Sequence, residues 1–341
     1  MTDARSFDVT ILICTRNRHR LLGETLDSLA ELSMPPGWKC EALVVDNGST
    51  DDTRAIAHAA AARDARIVVV ATPHRGLVAA LTAGLAHCRA PVVARMDADD
   101  VMHRARLAAQ LAALAAAPEL AAVGSHVRLF PRATLTDGRR AYERWLNAID
   151  SPARVRADAF VECPVAHPTL AVRTDVVRAH GYRDCGWPED YDLLLRLLIA
   201  GHAVGIVPRR LLCWRDTPGH LSRISPRYDI ARFTACKAAF LATTILAAAE
   251  TYVLWGFGHT GRALLHALRA HGKRPSHIVE VHPGRVGNII HGAPVILPEN
   301  LQNICGRPLI VSVAGELPRN RIRAALTAMG FIETRDFVCA A

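Results

Sequence analysis

Apolar and polar positions along the first hundred residues alternate in blocks. Val9–Cys14 is a short apolar run between polar residues, and Leu21–Leu32 carries apolar residues at helical spacing. Ala42–Val45 is apolar and stops at Asp46; Ala55–Ala62 is helical in composition; Arg66–Ala71 is rich in β-branched residues. Leu77–Cys88 reads as an amphipathic helix and Pro91–Met96 as a further strand. Strands alternating with helices predict βαβ units and a parallel sheet. Strands buried on both faces read as continuous apolar runs, as these do.

Beyond residue 120 the pattern is less regular. Val123–Phe130 and Thr169–Val172 predict strands, Glu189–Ile199 a helix, and Val204–Val207 an edge strand. Tyr228–Ala249 is helical and alanine-rich. A second alternation begins at Thr251: strand Tyr252–Trp255, helix Arg262–Ala270, strand Ile278–Val281, strand Leu309–Val313 and helix Arg319–Met329.

Ligands of such sheets bind beyond the carboxyl ends of the strands. Thr15-Arg16-Asn17 follows the first strand, Asp46-Asn47-Gly48-Ser49-Thr50-Asp51-Asp52 the second, and Asp97-Ala98-Asp99-Asp100 the fourth. Three polar clusters thus converge on one sheet edge. Asp97, Asp99 and Asp100 crowd three carboxylates onto one turn, where like charges raise one another's pKa. A divalent cation removes that cost, and hard oxygen ligands suit magnesium or manganese. Such an ion bridges to a diphosphate and makes it a better leaving group. The alternative is a solvated turn in which Asp100 caps the next helix.

Composition narrows the class. The chain has 341 residues, enough for roughly two domains, and is half hydrophobic with 21% charged residues, which is globular. Its net charge is +9, and 38 of the 41 basic residues are arginine, a bias read mainly as GC-rich codon usage. The arginines are scattered without an aromatic-interleaved basic run, which argues against nucleic-acid binding. No apolar run reaches the length of a membrane span, and Met1 to Asp8 lacks the apolar core of a secretory signal. Nine cysteines without a Cys-x-x-Cys pair point to reduced thiols in a cytosol.

At this point a resemblance becomes visible. Residues 8 to about 220 resemble a family 2 glycosyltransferase of the GT-A type. The stretches that carry it are Val9–Asn17, Leu43–Thr53, Arg95–Asp100, His167-Pro168-Thr169 and Trp187–Leu193, in the right order. The resemblance implies a GT-A fold with a mixed, mostly parallel central sheet. It implies that Thr15, Arg16, Asn17 and Asp46 line the donor nucleotide pocket, with Asp46 accepting from the base. Asp97 would lie by ribose and metal, and Asp99 would ligate Mn2+ or Mg2+. Asp190 would be the general base of an inverting displacement, with Glu189 and His167 on the acceptor side. His220 would be a weaker metal ligand, and a surface histidine in a Pro-Gly turn is the alternative. A satisfied structural histidine is the alternative for His167. Acids at positions 189 and 190 also suit a helix N-terminus, and the two readings are compatible. Relatives often carry asparagine where this chain has Leu81-Thr82, which leaves donor identity open. The partners implied are a nucleotide-sugar donor, with uridine favoured, and a glycan or lipid-linked acceptor contacted from the Phe130–Ala166 region. Phe233–Leu246 is the one candidate for membrane-surface contact, against a core or linker helix. The location expected is cytoplasmic, or peripheral at the inner membrane face.

In the second alternation, Gly256-x-Gly258-x-x-Gly261 follows a strand and opens a helix, and Glu280 ends the next strand. That context suits a dinucleotide site, with the glycines admitting a pyrophosphate and Glu280 accepting from a ribose, NAD rather than NADP. A purely structural Rossmann-like unit fits the same residues. Arg319, Arg321 and Arg323 are expected to solvate a helix. The organisation expected is a catalytic domain over 1–225, a helical connector over 226–250 and a small Rossmann-like domain over 251–341. Two other functions compete with sugar transfer: a sensor or scaffold governed by the glycine loop, and an NAD-dependent oxidoreductase.

Overall fold

The computed structural model describes residues 7–217, 219, 221–304 and 306–341, with the side chains of Leu221, Ser222 and Asn303 left aside. The chain forms two compact units. The first comprises 7–155, 165–184 and 189–224; the second comprises 156–164, 185–188 and 225–341.

The first unit contains β1 (Val9–Thr15), β2 (Cys40–Asn47), β3 (Ile67–Thr72), β4 (Val92–Asp97), β5 (Val101–Met102), β6 (Leu120–Phe130), β7 (Ala171–Arg173) and β8 (Ala203–Arg215). Their order across the sheet is β3-β2-β1-β4-β7-β6-β8-β5. β1 to β4 are mutually parallel, as the alternation predicts, and β7 runs antiparallel between β4 and β6. The sheet is therefore mixed. Val9, Ile11, Leu12 and Ile13 of β1 and Val44 and Val45 of β2 are buried, which accounts for unbroken apolar runs rather than alternation. Gly84 lies where a Cβ would stand 2.4 Å from Leu12 and 3.0 Å from Val45, so the helix Leu77–His87 packs directly on β1 and β2.

Two expectations need correcting here. Val204–Val207 is not a short edge strand: β8 runs for 13 residues between β6 and β5. Pro208 conceals it, because proline cannot donate to a ladder and the pairing with β6 slips register beside it. Nor does Asp100 cap a helix. The chain enters β5 directly after it, and the next helix, Arg106–Ala116, begins after Ala105.

The second unit contains β9 (Thr251–Trp255), β10 (Arg274–Val279), β11 (Ile289–Ile290), β12 (Ala293–Ile296), β13 (Leu309–Val311) and β14 (Phe337–Cys339), in the order β11-β12-β10-β9-β13-β14. Every pairing is parallel except that of β11 with β12. The chain builds outward from β9 through β10 to β12, then returns to the other side of β9 for β13 and β14. Side chains on β9 alternate between two cores. Tyr252 and Leu254 join Leu264, Leu265 and Leu268 of helix His259–Arg269, while Val253 and Trp255 join Leu326 of helix Glu316–Ala328. Helix Ile230–Thr243 contributes Ala238 and Leu241 to the first of these cores, so the face offered as a membrane contact is interior.

Arg319 and Arg323 are buried rather than solvating their helix. Arg323 donates to Asp158 Oδ1 at 2.5 Å, to Glu333 Oε1 at 2.8 Å and to the Ala157 carbonyl at 3.2 Å. Lys237 donates to the carbonyls of Val161 (2.6 Å) and Ala340 (3.2 Å). These bonds fix residues 156–164 within the second unit, so the units are not contiguous in sequence.

The glycines of this unit yield a direct test. A Cβ at Gly261 would lie 2.1 Å from the carbonyl oxygen of Gly256, whereas at Gly258 it would meet nothing within 4 Å. Gly261→Ala should destabilise the second unit by about 2–4 kcal/mol in denaturant unfolding, and Gly258→Ala should cost no more than about 1 kcal/mol, the loss of a favoured capping residue.

Candidate active site

The polar ends of β1, β2 and β4 lie side by side, because these strands are neighbours in register: Thr15 pairs with Asp46 and Cys14 with Asp97. Sequence had set three polar clusters on one edge, and the register places them there.

Asp46 is fully buried. It accepts from Ser49 N at 3.1 Å and from Arg54 Nε at 2.8 Å. Thr15 Oγ1 beside it is buried and has no hydrogen-bond partner among the described residues. Arg16 is exposed. Asn17 adopts a left-handed backbone (φ 52°), a conformation that asparagine tolerates. Its N–H donates to Ser49 Oγ at 3.0 Å and its side-chain oxygen accepts from Thr50 N at 3.0 Å. Asn17 therefore ties the loop after β1 to the loop after β2. Thr82 does not join this edge: it is exposed, and its hydroxyl donates back to the Val78 carbonyl of its own helix at 2.8 Å.

The acidic turn is built on arginines that sequence reasoning missed. Asp97 forms an ion pair with Arg95, a guanidinium only 4% exposed. Asp99 lies 3.4 Å from Arg18 Nε. Asp100 is fully buried, and its Oδ1 accepts from Arg215 N at 2.8 Å, while Arg215 Nε donates to the Asp99 carbonyl at 2.6 Å. Beneath them Arg106, completely buried, donates to Gln110 at 2.9 Å and to the Arg95 carbonyl at 2.8 Å. Burial, then the charges of Asp97 and Asp99, drive the Asp100 carboxyl well above the usual carboxylate range. Its Oδ2 has no hydrogen-bond partner among the described residues. Burial pushes Arg106 down to about 9, against the opposing pull of Asp100.

The donors at this turn are hard carboxylate oxygens. Among the described residues no group of three His, Cys, Asp or Glu side chains could enclose a metal alone. Asp97 and Asp99 present the hard oxygen donors that suit a divalent cation. His220 lies outside the described residues.

Glu189 and Asp190 open the helix Glu189–Ile199, as read from sequence. Glu189 is buried and Asp190 half-buried. Asp190 Oδ1 accepts from Tyr191 N at 2.7 Å. Loss of hydration, then the adjacent Glu189 charge, pushes the Asp190 carboxyl up to about 7. Asp192, next along, is clamped by Arg183 at 2.7 Å and Arg196 at 2.7 Å, which anchors this helix start.

His167 is buried, with Nε2 2.8 Å from the Tyr182 hydroxyl. Burial, then the Arg95 charge, hold it well below its ordinary pKa and therefore neutral. The charge of Arg95 is also felt at Asp190, Asp100 and Tyr182. One buried guanidinium therefore pairs with Asp97, and its charge is felt at Asp100, His167, Tyr182 and Asp190. Gly256, Gly258, Gly261 and Glu280 belong to the other unit.

Comparison with known proteins identifies the family and the fold. The sequence model of "Glycosyl transferase family 2" matches residues 10–181. The chain is 28% identical over 207 residues to the amylovoran biosynthesis glycosyltransferase AmsE of Erwinia amylovora, covering 60% of this chain and 74% of that protein. It is 32% identical over 108 residues to the succinoglycan biosynthesis protein ExoU of Rhizobium meliloti, covering 31% of this chain and 30% of that protein. Among solved structures, S. aureus TarS 1-349 in complex with UDP-GlcNAc superposes with a TM-score of 0.55 at 14% identity, over 78% of this chain and 72% of that one. The mannosyltransferase PcManGT from Pyrobaculum calidifontis, in complex with GDP-Man and Mn2+, gives 0.50 at 20% identity, over 79% and 70%. These two likenesses establish the α/β fold with its mixed central sheet. With half its length matched by the family model, the chain belongs to glycosyl transferase family 2 and is a glycosyltransferase.

Proposed function

We propose that the enzyme transfers a sugar from a nucleotide-diphosphate donor to an acceptor hydroxyl with inversion, in the assembly of a bacterial polysaccharide. The observation that carries this reading is Asp190, with its carboxyl pushed up to about 7, in the same unit as the acidic turn Asp97–Asp100 and within the field of the Arg95 that pairs with Asp97. A carboxylate titrating near neutrality is matched to general-base work at physiological pH. It takes the proton of the acceptor hydroxyl as that oxygen attacks the anomeric carbon. The diphosphate departs from the opposite face, so the configuration inverts.

Thr15, Arg16, Asn17 and Asp46 are assigned to the donor nucleotide. The buried, unpartnered Thr15 hydroxyl and the Asp46 carboxylate beside it supply an acceptor pair for a base, and a uridine donor is favoured. A magnesium or manganese ion held by Asp99 and Asp97 would neutralise charge developing on the leaving diphosphate. Arg18 and Arg95 hold those two carboxylates in place. Biosynthetic relatives such as AmsE and ExoU support an exopolysaccharide-type acceptor, glycan or lipid-linked. A nucleotide-sugar donor assigns the reaction to the cytoplasmic side. No helix among the described residues is long and apolar enough to cross a membrane.

Asp190→Asn should abolish transfer while nucleotide-sugar binding, followed by calorimetry, persists; full turnover by this variant would exclude Asp190 as the base. In the wild type, kcat/KM should fall as pH drops below about 7, because the base must be ionised. The same displacement has a stability consequence of defined sign. An unfolded aspartate titrates near 3.9, so ionising Asp190 penalises only the native state, increasingly from that pH up to about 7. Asp190→Asn should therefore melt at or above the wild type at pH 8, with the difference shrinking toward pH 5. Asp99→Asn should lower transfer by about a hundredfold and remove the dependence of donor binding on manganese. Equal donor affinity in excess chelator would eliminate the metal assignment.

A further inference from the structure

The three glycines of the loop after β9 are not equivalent. Gly256 has φ +98°, and a Cβ there would stand 2.4 Å from Val313 Cγ2 and 2.9 Å from the Ser312 carbonyl. Gly261 is closed off by the Gly256 carbonyl at 2.1 Å. The fold itself demands both. Gly258 has φ −76°, open to any residue, and nothing within 4 Å of a built Cβ. Packing does not require it.

Gly258 is the N-cap of helix His259–Arg269, which has no side-chain cap and no acid in its first turn. Its leading N–H groups and the positive end of its dipole are left uncompensated by the helix itself. A helix end alone is not a site, but a second group points to it. Ser312 follows β13, is only 2% exposed, and its Oγ has no hydrogen-bond partner among the described residues. Ser312 N donates to Trp255 O at 2.8 Å, so the ladder to β9 continues through it. Ile310 faces the core that contains Leu264 and Leu265, and Ser312, two residues on, projects to that same face. There the Thr260 hydroxyl donates to its carbonyl at 3.2 Å, which sets Ser312 against the first turn of the helix.

This is also the point between β9 and β13 at which the strand order reverses, where open parallel sheets take their ligands. Arg285 borders the loop, donating to the Phe257 carbonyl at 3.1 Å and pairing with Glu280 at 2.8 Å. We propose that the second unit binds a nucleoside 5′-diphosphate moiety, free or as half of a dinucleotide. Its phosphates meet the amides after Gly258, the Ser312 hydroxyl and Arg285, and its ribose meets Glu280. Gly258 is then glycine because a phosphate, not a protein atom, approaches its backbone.

The test uses the full chain carrying Asp46→Ala, to weaken the donor pocket of the first unit. NAD+, ADP, UDP and GDP are titrated separately by calorimetry, with melting temperature recorded alongside. Saturation by at least one of them below about 1 mM is expected. Adding Gly258→Val should weaken that ligand at least tenfold while lowering the melting temperature of the ligand-free protein by no more than the loss of a favoured capping residue does, since the site has room for the side chain. Adding Ser312→Ala instead should weaken it by about fivefold. Saturation by NAD+ alone identifies a dinucleotide, and saturation by a mononucleotide identifies the free diphosphate. No saturation by any of the four, or affinity unchanged in both variants, overturns the proposal.

Discussion

Three carboxylates on four consecutive residues are the constraint around which the catalytic unit is organised. Asp97, Asp99 and Asp100 repel one another, and Asp100 is fully buried, so the turn stands only if positive charge is supplied from the protein. It comes from four directions: Arg95 within β4, Arg18 from the loop after β1, Arg215 at the end of β8, and Arg106 beneath. Each belongs to a different element. Assembly of the acidic turn therefore requires the sheet edge to be complete, and the edge in turn is held by the turn. Arg215 makes this concrete, because its backbone N–H is spent on Asp100, its Nε on Asp99, and its terminal nitrogen on Glu24 at 2.5 Å.

This architecture explains what was legible in the sequence. Parallel strands buried on both faces leave long apolar runs, so β1, β2 and β4 could be read directly, and with them the polar residues that must follow. The start of the helix at Glu189 was legible because proline at 188 and acids at 189 and 190 are local signals. β8 was not, since Pro208 breaks a pattern whose pairing is decided by distant β6. Helices Arg106–Ala116 and Asp137–Leu146 went unread for a related reason. They pack on strands whose order across the sheet no local pattern encodes.

The arginines were the larger omission. Arginine is almost never buried without a partner, so a scattered, codon-biased set invites the reading of a solvated surface. Arg95, Arg106, Arg319 and Arg323 are all buried, and two of them reach across the chain, Arg319 to the Ala341 carbonyl and Arg323 to Asp158. Arg323 binds Asp158 across 165 positions, which is how residues 156–164 come to lie in the second unit. Partners at that separation are invisible to any window of sequence. What could have raised suspicion is placement: Arg95 sits within an apolar strand, two residues before Asp97, where a charge has no solvent to face.

Arginine rather than lysine also follows from the physics of this turn. Burial displaces Arg106 from its ordinary value down to about 9, and at that value it still carries its charge at neutral pH. A lysine begins lower, near 10.4, so burial would bring its loss of charge closer to neutral pH. Each lost proton would then leave Asp97 and Asp99 with less compensation. The turn would vary in charge across the pH range in which the Asp190 carboxyl loses its own proton. A guanidinium keeps the two events apart: the charge beneath the turn is constant while Asp190 titrates. The arginine bias of the composition, whatever its genomic origin, thus supplies a fixed positive charge beneath the turn while the Asp190 carboxyl titrates.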